Sequence, residues 1–167
     1  MTPFESDFPL ADSVCFTGHR DLPLSQIDSL QFLLQQTVFS LYEQQGVRHF
    51  WAGGALGFDL LASIVVLNAS VRCPEIQLHL ALPCRDHTKR WTQLQKAQFD
   101  LVVSRAAQVV YVSERYHAGC MAVRNRYLVD HSSRCISYQT KNKGGTAFTA
   151  AYAQSKGCPV LNLAELL

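Results

Sequence analysis

The feature that most restricts this chain is the alternation of six short apolar runs with five segments of helical period. The runs are "SVCFT" (13–17), "HFWA" (49–52), "IQLHLAL" (76–82), "QVVYV" (108–112), "RCISY" (134–138) and "PVLNL" (159–163). Between them lie residues 26–45, 57–71, 91–105, 120–131 and 146–156. In the first of these segments Ile27, Leu30, Leu34, Val38 and Leu41 recur every three or four residues, as on one helix face. Ser25 with Asp28 resembles a capping box, and Gly46 is a natural stop. Strands joined by helices through short loops run parallel, because a hairpin cannot contain the crossover. The pattern therefore predicts α/β: a single Rossmann-like three-layer αβα domain, with a doubly wound, mainly parallel sheet of about six strands and right-handed crossovers. The expected strand order is 3-2-1-4-5-6. Strand three alternates Ile76, Leu78, Leu80 and Leu82 with Gln77, His79 and Ala81, and strand six opens on Pro159, so both suit edges; "QVVYV", apolar throughout, suits the centre. No linker or repeat interrupts the pattern. One domain is expected over 1–167, with 1–12 as an N-terminal extension.

A chain of 167 residues, 48% of them apolar, can bury a real core, which argues against disorder. Its formal charge of +2 does not mark a nucleic-acid protein, so partners must be read from sites. The opening "MTPFESDFPLADS" lacks the basic and apolar regions of a secretory signal, and the stretch around "DLLASIVVLNAS" is too short to span a bilayer. A cytoplasmic protein without a membrane partner is expected. The six cysteines form no CxxC pair and no zinc spacing, so they read as reduced and packed, with no metal site.

In a doubly wound sheet, ligands bind beyond the C-terminal ends of the strands, where the strand order reverses. With the order 3-2-1-4-5-6 that point brings Thr17, Gly18, His19 and Arg20, after strand one, opposite Ser113 to Tyr116, after strand four. Two glycine clusters fall on the same rim. In "AGGALGFD", Gly53, Gly54, Ala55 and Gly57 open the second helix; in "KNKGGTAFT", Gly144, Gly145 and Thr146 open the last. Each either makes a tight turn or lets backbone amides approach an anion. Arg124 shares a helix face with Met121, Leu128 and His131, and a guanidinium in such a stripe requires an anion, either Asp59 or a ligand phosphate or carboxylate. Asp59, in a first helical turn, either answers the helix dipole or binds ribose hydroxyls. His19 is either a phosphate donor or a turn residue, and Arg20 faces either an anion or Asp21. In "PCRDHTKRW", Arg85, Lys89 and Arg90 beside Trp91 either line a nucleic-acid path or form a solvated helix entrance with the indole packed inward.

The motifs "TGHR", "GGALGFDLLA", "LPCRDHTKRW", "VVYVSERYHAGCMAVRNRYLVDHS" and "GGTAFTAAYAQSKGCPVLNL", in this order from about Ser13 to Leu163, resemble the YpsA/YoqJ-like family of bacterial proteins, within the SLOG (SMF/DprA and LOG) superfamily. The resemblance implies a Rossmann-like domain that binds or senses nucleotides or nucleotide-derived molecules. LOG enzymes hydrolyse the N-glycosidic bond of a nucleoside monophosphate with an arginine in M-x-x-R and a glutamate in P-G-G-x-G-T-x-x-E. Here "MAVR" places Arg124 at the arginine, with Asn125 beside it, but Thr149 stands at the glutamate. A threonine cannot relay a proton as a carboxylate does. The candidate catalytic residues are thus Arg124, Asp59 and Asp130.

Together these readings lead to an expected nucleotide or ADP-ribose-type ligand, its phosphate on the two glycine loops and Arg124, its ribose near Asp59, and its base on Tyr116 or Trp91. A LOG-like phosphoribohydrolase and a DprA-like single-stranded DNA module are the alternatives. A homodimer through an exposed sheet edge is the expected assembly.

Overall fold

The computed structural model describes residues 8–167; of the expected N-terminal extension, residues 1–7 lie outside the described part. A 3-10 turn at Leu10–Asp12 leads into β1 (Ser13–Gly18). The chain then runs through α1 (Ile27–Gln45), β2 (His49–Ala52), α2 (Phe58–Arg72), β3 (Gln77–Leu82) and α3 (Gln93–Arg105). It continues through β4 (Gln108–Tyr111), α4 (Cys120–Asp130), β5 (Arg134–Tyr138), α5 (Gly145–Ser155) and β6 (Val160–Asn162). All six strands are parallel, so the three-layer α/β architecture read from the alternation is the observed one.

The strand order is β4-β3-β2-β1-β5-β6, which differs from 3-2-1-4-5-6 in the place of β4. β4 pairs with β3, with Leu80 opposite Val109 and Leu82 opposite Tyr111, and forms an edge instead of lying beside β1. Strand three is accordingly interior. Its leucines enter the core under α1, α2 and α3, while Ala81 joins Cys15, Trp51, Val110, Leu128 and Ala153 under α4 and α5. The alternation in "IQLHLAL" reflects two chemically different cores, not one wet face: His79 is buried and meets His49 with a ring-nitrogen separation of 2.9 Å. β6 is the other edge, as Pro159 indicated.

Gly46 ends α1 at φ 69°, the left-handed cap expected of it. The Ser25–Asp28 capping box does not form, because Pro23 starts a 3-10 turn over Leu24–Gln26 and the chain enters α1 already turning. Thr92 and Gln95 make a true box at α3. Among the described residues, no helix is long and apolar enough to cross a membrane, and no group of three or more His, Cys, Asp or Glu is arranged to hold a metal.

Candidate functional site

Moving β4 to the edge moves the reversal of strand order to the gap between β1 and β5. The loop after β5, not the loop after β4, therefore faces "TGHR". A cavity of 390 Å³ opens there. Its floor is the end of β1, where Gly18 passes so close to Phe58 that a Cβ would stand 2.3 Å from the ring. Ser113 and Tyr116 do not line it. Ser113 meets His117 Nε2 at 3.0 Å, and Tyr116 projects into solvent.

One wall comes from α4. Arg124 is buried, and its Nε donates to Asn125 Oδ1 at 2.7 Å. One of its terminal nitrogens donates to the Gly53 carbonyl and the other lies 3.8 Å from the Met121 sulfur. All three partners are neutral, and the ion pairs found among the described residues do not include this guanidinium. Asp59 acts on it at longer range: burial pushes the Arg124 pKa down while Asp59 opposes the shift. Burial in turn raises the Asp59 pKa, against the pull of Arg124 and of the Ala55 and Gly53 amides.

Those amides settle what the first glycine loop does. The Ala55 N–H reaches Asp59 Oδ2 at 3.4 Å, and Phe58 N–H donates to His19 O at 3.1 Å. Asp59 thus binds its own loop, and Gly53, Gly54 and Gly57 shape the cavity without lining it; Ala55 does line it. At Gly53 a Cβ would stand 2.6 Å from an Arg124 nitrogen and 2.9 Å from Asp59 Oδ2, so only glycine lets loop, arginine and carboxylate meet.

The second glycine loop differs. Gly144, at φ 93°, precedes α5 without a side-chain cap, and the first backbone bond of the helix is Phe148 N–H to Gly144 O at 3.0 Å. The preceding amides, those of Gly145, Thr146 and Ala147, remain at the helix mouth, an anion-binding arrangement. Gly145 and Thr146 line the cavity opposite Arg124. Thr149, at the LOG-type glutamate position, is buried and donates its hydroxyl to Gly145 O at 2.8 Å, so it turns into its own helix.

His19 and Arg20 complete the rim. Thr140 N–H donates to His19 Nε2 at 2.9 Å, which ties the β1 loop to the β5 loop and places the ring proton on Nδ1. Burial, then Lys141, lowers the His19 pKa, so this side chain is a neutral strut, not a cation. Arg20 is exposed and lines the cavity. Asp130 lies at the far end of α4, exposed and accepting from the Tyr152 hydroxyl at 2.8 Å, and does not line the cavity. Trp91 packs edge-on to His87 and Phe99, so neither it nor Tyr116 forms a wall for a base. Arg85 pairs with Glu114 at 2.9 Å and stacks over Tyr111, as at a solvated helix entrance. Sequence reasoning missed Phe16 in the lining; it took Met121 and Leu128 only as neighbours of Arg124, though their spacing from it, i−3 and i+4, was the available signal.

Comparison with known proteins agrees with this architecture. Residues 14–158 match the model of the YspA SLOG family. The SPbeta prophage-derived protein YoqJ of Bacillus subtilis is 26% identical over 133 residues, covering 72% of this chain and 78% of YoqJ. Two solved structures of DNA processing protein A share the fold, each with a TM-score of 0.64. The Helicobacter pylori protein, described for its single-stranded DNA binding mode, is 22% identical over 90% of this chain and 64% of its own. The Streptococcus pneumoniae protein is 16% identical over 89% and 48%. This chain thus spans less than two thirds of either.

Proposed function

Because the chain belongs to the YspA SLOG family, we propose that the cavity between β1 and β5 binds a phosphorylated nucleotide or nucleotide-derived ligand. One observation carries the reading: the Arg124 guanidinium is buried with only neutral acceptors in bonding range, and it lines the same cavity as Gly145 and Thr146 at the uncapped start of α5. A buried guanidinium is stabilised by a bidentate oxyanion, and the α5 amides supply further donors to the same group. Asp59, the acidic residue of the lining, accepts from the Ala55 N–H through Oδ2, and the acceptor capacity that its carboxylate keeps is what ribose hydroxyls would use.

Thermal unfolding in the presence of AMP, ADP-ribose, NAD and cyclic dinucleotides tests this. A ligand at a hundred times its Kd stabilises by about 2.7 kcal/mol, which is roughly 5 to 10 °C for a domain of this size. The rise should vanish in Arg124→Ala, with circular dichroism showing that the variant is folded. No rise at millimolar ligand, or one that survives the substitution, would sink the proposal. Release of free base from AMP, lost in Asp59→Asn, would add hydrolysis by a route that does not use residue 149.

The likeness to the DNA-processing proteins supports a second reading, binding of single-stranded DNA across the same rim through Arg20 and Lys141. It requires oligonucleotide affinity to fall steeply with salt and mononucleotides to bind weakly. Fluorescence anisotropy at two salt concentrations separates the two readings.

A further inference from the structure

A second chamber, of 420 Å³, adjoins the first and shares His19 and Arg20 with it. It lies between the loop entering α1 and the loop leaving β5. Two of its lining residues are cations, Arg20 and Lys141, against one carboxylate, Asp21. The ion pairs found among the described residues include none of the three. Arg20 stands where the chambers meet: its charge acts on Asp59 and Arg124 in the first. Lys141 acts on His19 from the other side.

The remaining wall is polar. Tyr138 is buried and donates its hydroxyl to Gln26 Oε1 at 2.5 Å, which fixes the amide with its NH₂ group still able to donate. The Tyr138 ring is occupied edge-on by His19 and along its face by Phe58, so it has no free face on which a base could stack. The chamber thus offers charge and donors but no aromatic shelf. That chemistry suits a phosphoryl group and not a base.

We infer that the second chamber is a distinct phosphate subsite, and that the ligand of this protein carries two linked phosphoryl groups. One sits against Arg124 and the α5 mouth, the other passes Arg20 to reach Lys141 and Gln26. The inference rests on the nucleotide reading of the first cavity and adds the class of ligand: a nucleoside diphosphate or a nucleotide with an internal diphosphate, rather than a monophosphate. His19, neutral and held by Thr140, is the divider past which the diphosphate bends. Lys141 is exposed, its carbonyl accepts from Gln139 Nε2, and its ammonium group is in none of the ion pairs found among the described residues, so its substitution isolates the subsite.

The test is calorimetric titration of the whole chain with AMP, ADP and ADP-ribose, in the wild type and in Lys141→Gln. Each charge-assisted contact in the second chamber strengthens binding by about tenfold, so ADP or ADP-ribose should bind at least about tenfold more tightly than AMP. In Lys141→Gln that ratio should fall by about tenfold, the share of the Lys141 contact, while the Arg20 contact remains. Preference for ADP alone identifies a terminal diphosphate and preference for ADP-ribose an internal one; both support the subsite. Equal affinities for all three in the wild type, or a ratio unchanged by Lys141→Gln, overturn the inference while leaving the first cavity standing. Failure of all three to bind at millimolar concentration overturns the nucleotide reading and the subsite together.

Discussion

Gly53 shows how tightly single residues are specified at this site. An alanine methyl there would press on the buried Arg124 guanidinium and the buried Asp59 carboxylate at once. Gly53→Ala should destabilise the fold by about 1–3 kcal/mol, read as a lower urea midpoint, and weaken nucleotide binding more than stability alone explains. Unchanged stability would mean that the arginine moves freely. Gly57 and Gly46 have nearly equal positive φ values, 76° and 69°, but different surroundings. A Cβ on Gly57 would meet the Arg20 carbonyl at 2.1 Å, whereas Gly46 has open space. Gly46→Ala should lose roughly 1 kcal/mol, the left-handed backbone term, and Gly57→Ala distinctly more, because its ψ of −119° lies outside the left-handed well and its Cβ would also clash; equal losses in urea unfolding would show that neither the clash nor the different ψ carries a cost. Gly53 and Gly57 were legible as close-approach positions, since they follow a strand and open a helix. Their distant partners were not, because the Arg20 carbonyl and the Arg124 guanidinium come from two other elements, joined only by folding.

At the scale of elements, β2 and β3 bring His49 and His79 together inside the sheet. Burial, then His49, lowers the His79 pKa from 6.5 to about 4. The neutral ring is therefore the folded form: the stability it permits is complete above pH 6.5 and is lost as pH falls toward 4. Linkage with these values gives about 2 kcal/mol lost at pH 5 relative to pH 8. Urea unfolding of the wild type and His79→Leu at both pH values checks it, since the variant should lack that part of the pH dependence. An identical dependence in both would show that His79 is protonated without penalty in the fold. The same residue explains the misplacement of β3. Period-two alternation distinguishes apolar from polar faces, but it does not tell a solvated polar face from one buried with a polar partner. "QVVYV" is apolar because Val110 joins a core on one face and Val109 packs on the other, even though its outer edge pairs with no strand among the described residues.

Over the whole molecule, five of the six cysteines are buried and Cys73 is half-buried. Burial raises the thiol pKa to about 11 at Cys84 and about 12 at Cys158, and well above the ordinary value at Cys135, where hydrogen bonding with Cys15 contributes most. Thiol titration of the native protein at pH 8 should label one cysteine quickly and all six only in denaturant; rapid labelling of two or more would reveal opening of a layer. The sequence by itself determined the class of this fold, the number and kind of its elements, the rim on which the glycines gather and the burial of Arg124. Each follows from local period and from the unfavourable burial of an unpartnered charge, which need no knowledge of distant neighbours. Only the tertiary structure decided that β4 lies outside β3, and hence that the site faces the β5 loop instead of Ser113 and Tyr116. It also decided that Asp59 binds its own loop and that Lys141 joins Arg20. Strand order is set by which helix faces pack across the sheet, a sum of contacts between segments far apart in the chain, and several orders satisfy the same local pattern.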